Sequence, residues 1–327
     1  IRTAEHKEES MKNIAQAGIL GIDVSRDHLD GYFLPDGKRI RLPNTEEGHT
    51  QLIELLAERP DVVVCFEATG GQEWRLWAAL DAVGIATRQL PPAQIKAFAA
   101  SRGTRAKTDQ IDAELIARFL AFRPDAGRQL PHEKLRLLRA LCAKRGQLVE
   151  TRKRLLVQTK ARMKNGTGDP FEAMDGELKA LLDAQIADLE AKIEAAIAAD
   201  LGMADTARIL RSIIGVGPVT SWMLIAELPE IGQISGEQAA ALTGLAPIAR
   251  DSGTLRGKRA IGGGRRALRH VLFQAALVAS HHNPTLTAFA DRLRERGKPH
   301  KVIIIAVARK RVTIANAMCK PRQICAS

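Results

Sequence analysis

In the first 125 residues, apolar positions fall into short runs and alternations, the periods of strands and of helices packed on a sheet. Residues 18–24, GILGIDV, form an apolar run interrupted by one carboxylate, Asp23. HLDGYFL and KRIRL then flank the turn signal Pro35-Asp36-Gly37, which predicts a hairpin and, with the first run, a three-stranded meander. Asn44-Thr45-Glu46-Glu47 is a helix start, and Leu52, Ile53, Leu55 and Leu56 supply its apolar face. The β-branched run DVVVCFE (61–67) predicts a buried parallel strand ending in Glu67. A helix over Trp74–Val83, a strand at Ile85–Leu90, a helical stretch opened by Pro91-Pro92 and a helix beginning at Asp109 complete the series. The order βββαβαβα predicts a mixed-sheet α/β domain.

The pattern changes after residue 130. Leu135, Leu138, Leu141, Leu148, Leu155 and Met163 recur at helical intervals among many Arg and Lys. Asn165-Gly166-Thr167-Gly168-Asp169-Pro170 breaks the run, and Leu182, Ile186, Leu189, Ile193 and Ile197 stripe a second helix at about 177–199. The pair predicts a long helical hairpin or coiled coil. From 205 the chain is again compact and helical. Ile213-Ile214-Gly215-Val216-Gly217-Pro218 between two apolar segments has the form of a helix-hairpin-helix, whose amides can meet a phosphate; an ordinary tight turn fits the same residues. A Gly/Arg-rich loop (251–266), an apolar helix over Ala267–Ser280 and a core helix over 301–318 with a basic side follow. The expected division is a flexible tail (1–16), an α/β domain (17–127), a helical linker (128–204) and a mostly helical domain (205–327).

Composition adds direction. Hydrophobic residues make up 45% of 327, enough for a substantial core. No apolar run approaches the roughly 20 residues of a membrane helix, and the first ten residues are polar and unlike a signal peptide. Four cysteines without a CxxC pair argue against zinc or a disulfide framework and for a reducing cytoplasm. The net charge of +12 is unevenly spread: residues 1–125 carry 16 basic and 19 acidic residues, a net of −3, and the remaining 33 basic and 18 acidic residues give +15. A strongly basic second half suits a polyanion such as nucleic acid. Aromatics at 4% make base stacking a minor mode of binding.

Four acids carry the chemistry. A buried carboxylate such as Asp23 needs a cation or a donor, and Glu67 ends another strand with the same need. In a βββαβ layout the first and fourth strands are neighbours. Asp109 and Asp112, three apart at a helix start, share a face; each would also serve as a cap or a solvated first-turn acid. Four converging carboxylates can hold two metal ions about 4 Å apart for phosphoryl transfer, and hard oxygen ligands favour Mg²⁺, with Mn²⁺ as substitute.

GIDVS (21–25), FEATG (66–70) and KTDQIDA (107–113) resemble the three acidic motifs of the DEDD insertion-sequence transposases, a family that includes pilin-gene invertases and bridge-RNA-guided recombinases. GVGPVTSWMLIAEL (215–228) and LTGLAPIARDSGTLRGKRAIGGGRRALRHVLF (242–273) resemble its second domain, with Gly262-Gly263-Gly264 where a Lys-containing turn is more usual. The resemblance spans about residues 17–320. It implies an RNase H-like, RuvC-like first domain with Asp23, Glu67, Asp109 and Asp112 as metal ligands, a coiled-coil linker, and a serine nucleophile in a Ser-Gly motif, here Ser252-Gly253. It further implies recombination of double-stranded DNA through a phosphoserine link, metal in one subunit assisting a serine of another, a homo-oligomer (dimer or tetramer), a noncoding guide RNA, and a DNA-associated place in a prokaryotic cytoplasm. From local sequence alone Ser252-Gly253 is a surface turn. Arg152, Lys153 and Arg154 on the first long helix, and Arg250, Arg256, Lys258, Arg259, Arg265 and Arg266 around the serine, are the candidate nucleic-acid contacts. The competing functions are a junction-resolvase-type, metal-only nuclease and a non-catalytic nucleic-acid-binding protein.

Overall fold

The structure is a computed structural model describing residues 18–103, 109–249, 251, 257 and 259–322, without the side chains of 109–111 and 169. The chain divides into two compact units, Ile1–Pro131 and His132–Ser327.

In the first unit, strands β1 (Ile19–Val24), β2 (His28–Leu34) and β3 (Arg39–Pro43) form the meander. Gly37, at φ 72°, supplies its turn, and its amide donates to the Phe33 carbonyl at 2.9 Å. Helix α1 (Glu46–Ala57) is capped by Thr45, whose hydroxyl accepts from the Gly48 amide. Strand β4 (Val63–Glu67), helix α2 (Trp74–Ala82), strand β5 (Thr87–Leu90) and helices α3 (Pro92–Ser101) and α4 (Asp109–Phe122) follow. The sheet order is β3-β2-β1-β4-β5, antiparallel on the β3 side and parallel from β1 through β4 to β5. The expected neighbourhood of first and fourth strands is therefore present.

Both faces of the sheet are covered, which is why β1 and β4 are apolar almost throughout. Leu20, Ile22, Val24, Val64 and Phe66 pack on Leu52 and Leu56 of α1 and on Leu76, Trp77 and Leu80 of α2. Ile19, Val63, Cys65 and Leu90 pack on Ile95 of α3 and on Ile116, Phe119 and Leu120 of α4.

The second unit opens with the hairpin of α5 (Glu133–Lys164) and α6 (Glu172–Ala198), joined through a 3₁₀ turn at Asp169–Phe171. Helices α7 (Leu201–Arg211), α8 (Pro218–Glu227) and α9 (Gly236–Leu242), a two-stranded ribbon of β6 (Pro247–Ile248) and β7 (Ala260–Ile261), and helices α10 (Arg266–His282), α11 (Pro284–Glu295) and α12 (His300–Cys319) complete it. Leu138 and Cys142 of α5 and Ile193 and Ile197 of α6 share one core with Leu210, Trp222, Leu272, Ile304 and Val307. The base of the hairpin is thus built into this unit. Arg311 of α12, only 3% exposed, donates to the carbonyls of Ala275 and Gly215 and so ties α12 to the turn between α7 and α8.

Candidate active site

Strand register places the acids. Side chains alternate between sheet faces, and Gly21 and Asp23 share the face under α4. A methyl group on Gly21 would lie 2.4 Å from the Ala113 carbonyl and 2.5 Å from the Ala117 amide. The missing side chain is what lets α4 rest directly on β1. Cys65 repeats the contact on β4, its thiol 3.8 Å from the Ile116 carbonyl, and burial pushes that thiol well above its ordinary range. Ala113 and Ala117 thus lie over Gly21, two residues before Asp23 on the same face of β1, and Asp112 directly precedes Ala113 in the first turn of α4.

Parallel pairing runs from Ile19↔Val63 to Ile22↔Phe66, and the next step sets Asp23 beside Glu67. On the other side Asp23 is in register with Asp30 of β2, and Asp30 with Arg41 of β3. One row across the sheet therefore reads Arg41, Asp30, Asp23, Glu67, all on the α4 face. Asp30 is 4% exposed. Among the described residues no three His, Cys, Asp or Glu side chains stand as a ready metal-binding group. The Asp109 side chain lies outside them, and Asp23, Glu67 and Asp112 each have an interacting partner. An all-carboxylate oxygen set on two strand ends and a helix start suits a hard divalent ion.

Two braces, one buried and one half-buried, hold the loops leaving β1 and β4. Glu73, 2% exposed, accepts from the Thr69 hydroxyl at 2.8 Å, the Thr69 amide at 3.3 Å, the Gly71 amide at 3.0 Å and Gln89 Nε2 at 2.7 Å. Gln89 in turn accepts from Arg128 Nε at 2.6 Å. Burial alone pushes the Glu73 carboxyl up, but hydrogen bonds from its own backbone, Thr69 and Gly71 outweigh it and hold the group below its ordinary value. The second brace is Asn44. Its Nδ2 donates to the Ser25 carbonyl at 2.8 Å and to the Gln72 carbonyl at 3.4 Å, joining the turn after Asp23 to the loop after Glu67. Its Oδ1 must then accept, so the buried His49 is the donor through Nε2 at 2.8 Å. Burial, and then Arg75, hold the His49 pKa below its ordinary value.

In the second unit Ser252, Arg250, Arg256 and Lys258 lie outside the described residues. β6 and β7 pair through Pro247↔Ile261 and Ile248↔Ala260. Asp251 Oδ1 accepts from the Gly257 amide at 3.2 Å, and its other oxygen meets Arg259 at 2.9 Å. The glycine triplet has a backbone reason. Gly263 and Gly264 sit at φ 63° and 64°, and a methyl group on Gly264 would lie 2.2 Å from the Gly244 amide. Arg265 is engaged by both oxygens of Glu230, at 2.6 and 2.8 Å, while Arg266 is exposed at the start of α10. On the hairpin, Arg152 meets Asp183 at 2.6 Å, whereas Lys153 and Arg154 are exposed and, among the described acids, lie within 4 Å of Glu150.

A family model described as a transposase, with DEDD acids and of the IS110 type, matches residues 20–165. A second, described as the transposase IS116/IS110/IS902 family, matches residues 207–291. The chain belongs to the IS110 transposase family. Enzymes of this family are DNA transposases and recombinases. The pilin gene-inverting protein of Moraxella bovis is 28% identical over 313 residues, covering 92% of this chain and 95% of that protein. The IS110 insertion-element protein of Streptomyces coelicolor, described as uncharacterized, is 32% identical over 39% of this chain and 32% of its own length. Among solved structures, Thermus-type RuvC ("T. thermophilus RuvC in complex with Holliday junction substrate") overlaps 34% of this chain and 99% of its own at 16% identity and a TM-score of 0.26. That overlap is too loose to bear on the fold, for which strand order is the better guide.

In this transposase, sequence patterning drew attention to Asp23 and Glu67 because each interrupts or ends an apolar run. It passed over Asp30, Asn44, Glu73 and Gln89. Asp30 and Gln89 sit within predicted strands, where a polar residue reads as one facing solvent, and Asn44 and Glu73 sit in polar segments where such residues are ordinary. A buried polar residue opposite an acid-bearing strand becomes visible only once the pairing is known.

Proposed function

We propose that this IS110-family transposase cuts and rejoins double-stranded DNA with a metal-assisted site of Asp23, Glu67, Asp109 and Asp112 and with Ser252 as nucleophile. The observation that carries the reading is the pairing of β1 with β4. Continued by one residue, that register puts Asp23 beside Glu67 on the face that α4 covers, which supports a shared role for the two acids. The sheet order 3-2-1-4-5, with three antiparallel strands followed by two parallel ones, supports an RNase H-like first unit. The names of the pilin gene-inverting relatives support recombination as the outcome.

The four carboxylates would hold Mg²⁺, or Mn²⁺ in its place, and the ion when bound would offset charge developing on the phosphoryl oxygens. Ser252 Oγ attacks the phosphorus and loses its proton. The bond from phosphorus to one bridging sugar oxygen breaks, that oxygen takes up a proton, and a phosphoserine link remains for the rejoining step. Serine is a weak nucleophile until activated, and Arg256, Lys258 and Arg259 are the nearby cations that would hold the phosphate. Glu73 and Asn44 orient the loops behind the acids. A noncoding RNA that selects the DNA partners and an oligomer that brings a serine to another subunit's acids complete the proposal; sequencing RNA that copurifies with the protein tests the former.

The direct test is Asp23→Asn. Strand cleavage in Mg²⁺ should vanish while DNA binding stays within about threefold of wild type, since one carboxylate contributes little to phosphate affinity. Full recombination by the variant would remove Asp23 from the reaction.

A further inference from the structure

The sheet row that carries the acids ends at the β3 edge in a cation. Arg41 lies in register with Asp30, and its guanidinium stands 3.7 Å from that buried carboxylate while remaining 54% exposed. Two residues back, Arg39 projects from the same face. Glu114 of α4 fixes it at 2.6 Å, and it stacks over the Tyr32 ring at 4.8 Å. Glu114 is shared with Arg118 at 2.8 Å. Asp30, Arg39, Arg41 and Ala113 line a cleft of about 230 Å³ between the β3 edge and α4.

We infer that this cleft is a phosphate subsite, and that Arg41 binds the backbone of the DNA strand entering the acid row. Among the described residues that line the cleft, Arg39 and Arg41 bring two positive charges and Asp30 one negative charge. A phosphodiester supplies one negative charge. The two arginines also differ in readiness. Arg39 is held on two sides, by Glu114 and by Tyr32. Arg41 makes one long ion pair to buried Asp30 from an exposed position, so its remaining guanidinium N–H groups can reach a phosphate while that pair is kept. The location decides between nucleic acid and a free anion: the cleft continues the row Asp30, Asp23, Glu67, so a strand whose cut phosphate lies at the acids would lay a neighbouring phosphate over Arg41. The inference rests on the proposed role of that row.

The test measures binding of a fluorescein-labelled DNA duplex to the full chain by anisotropy, in Ca²⁺ and at KCl between about 50 and 200 mM. Wild type is compared with Arg41→Gln and with Arg123→Gln, which removes an exposed, Asp125-paired arginine at the far end of α4. Loss of one phosphate contact should flatten the log–log salt slope by about 0.9. The affinity advantage of wild type over Arg41→Gln should therefore shrink about 3- to 4-fold across that salt range. Arg123→Gln should keep the wild-type slope, and circular dichroism should show Arg41→Gln folded at the assay temperature although less stable, because buried Asp30 loses its guanidinium. Equal slopes for all three proteins would overturn the subsite. Equal losses in both variants would overturn it as well, by reducing the effect to net charge. A flattened slope in Arg41→Gln alone, together with Asp23→Asn that still cuts, would keep the DNA contact and reject the acid row as the cutting centre.

Discussion

Glu73 braces the loop after β4 from a buried position. Its carboxylate accepts four hydrogen bonds while nearly excluded from solvent; in Glu73→Gln one oxygen can still serve Thr69 and Gly71, but the new NH2 group meets the Gln89 Nε2 donor, whose amide oxygen is already taken by Arg128. We expect Glu73→Gln to lower stability at pH 7 by about 1–3 kcal/mol. Because the folded carboxyl titrates below its unfolded value, its stabilisation is complete above about pH 5 and is lost as pH falls through the folded value. Urea unfolding at pH 7 and at pH 3 checks both parts: the gap between wild type and variant should narrow in acid. A gap that widens would reverse the assignment. Asp23 and Glu67 were legible from sequence because a carboxylate among β-branched residues is expensive wherever it points. Glu73 was not, since an acid in a Gly-rich loop is unremarkable until Gln89 and Arg128 are known to stand behind it.

At the scale of elements, helix α4 and the long hairpin teach different lessons. Contact between α4 and β1 depends on Gly21, where a methyl group would meet two backbone atoms of the helix. Gly21→Ala should therefore cost about 1–3 kcal/mol, as overpacking typically does, and should weaken Mn²⁺ binding measured by electron paramagnetic resonance, because Asp112 moves with the helix. Unchanged Mn²⁺ affinity would separate α4 from the acid site. Apolar periodicity gave the hairpin helices within a few residues of their observed ends, and the Asn165–Pro170 break gave its tip. What periodicity could not give was the use of its charges. Within α5 alone the arginines face little opposition, yet Glu190 of α6 meets Arg145 at 2.7 Å and Asp183 meets Arg152. Exposed Lys153 and Arg154 remain the better candidates for DNA or RNA. Replacing both by Gln should flatten the salt slope of binding by up to about 1.8, two phosphates' worth. Arg152→Gln should instead lower the unfolding temperature and leave that slope nearly unchanged. The reverse pattern would assign phosphate contact to Arg152.

For the whole chain, charge is uneven, a net of −3 over residues 1–125 and +15 over the rest. Family membership follows from both halves, and the acid row from strand pairing in the first unit. The serine chemistry is the boldest part of the proposal, because it joins a residue of the second unit to acids of the first on one phosphodiester. Incubating wild type, Asp23→Asn and Ser252→Ala with DNA in Mg²⁺, denaturing each, and looking for a DNA-linked peptide tests that joint claim most directly. Wild type should yield an adduct at Ser252 and both variants none. An adduct that persists in Ser252→Ala, or nicking by wild type with no adduct at all, would contradict it, and the latter would favour a metal-only nuclease.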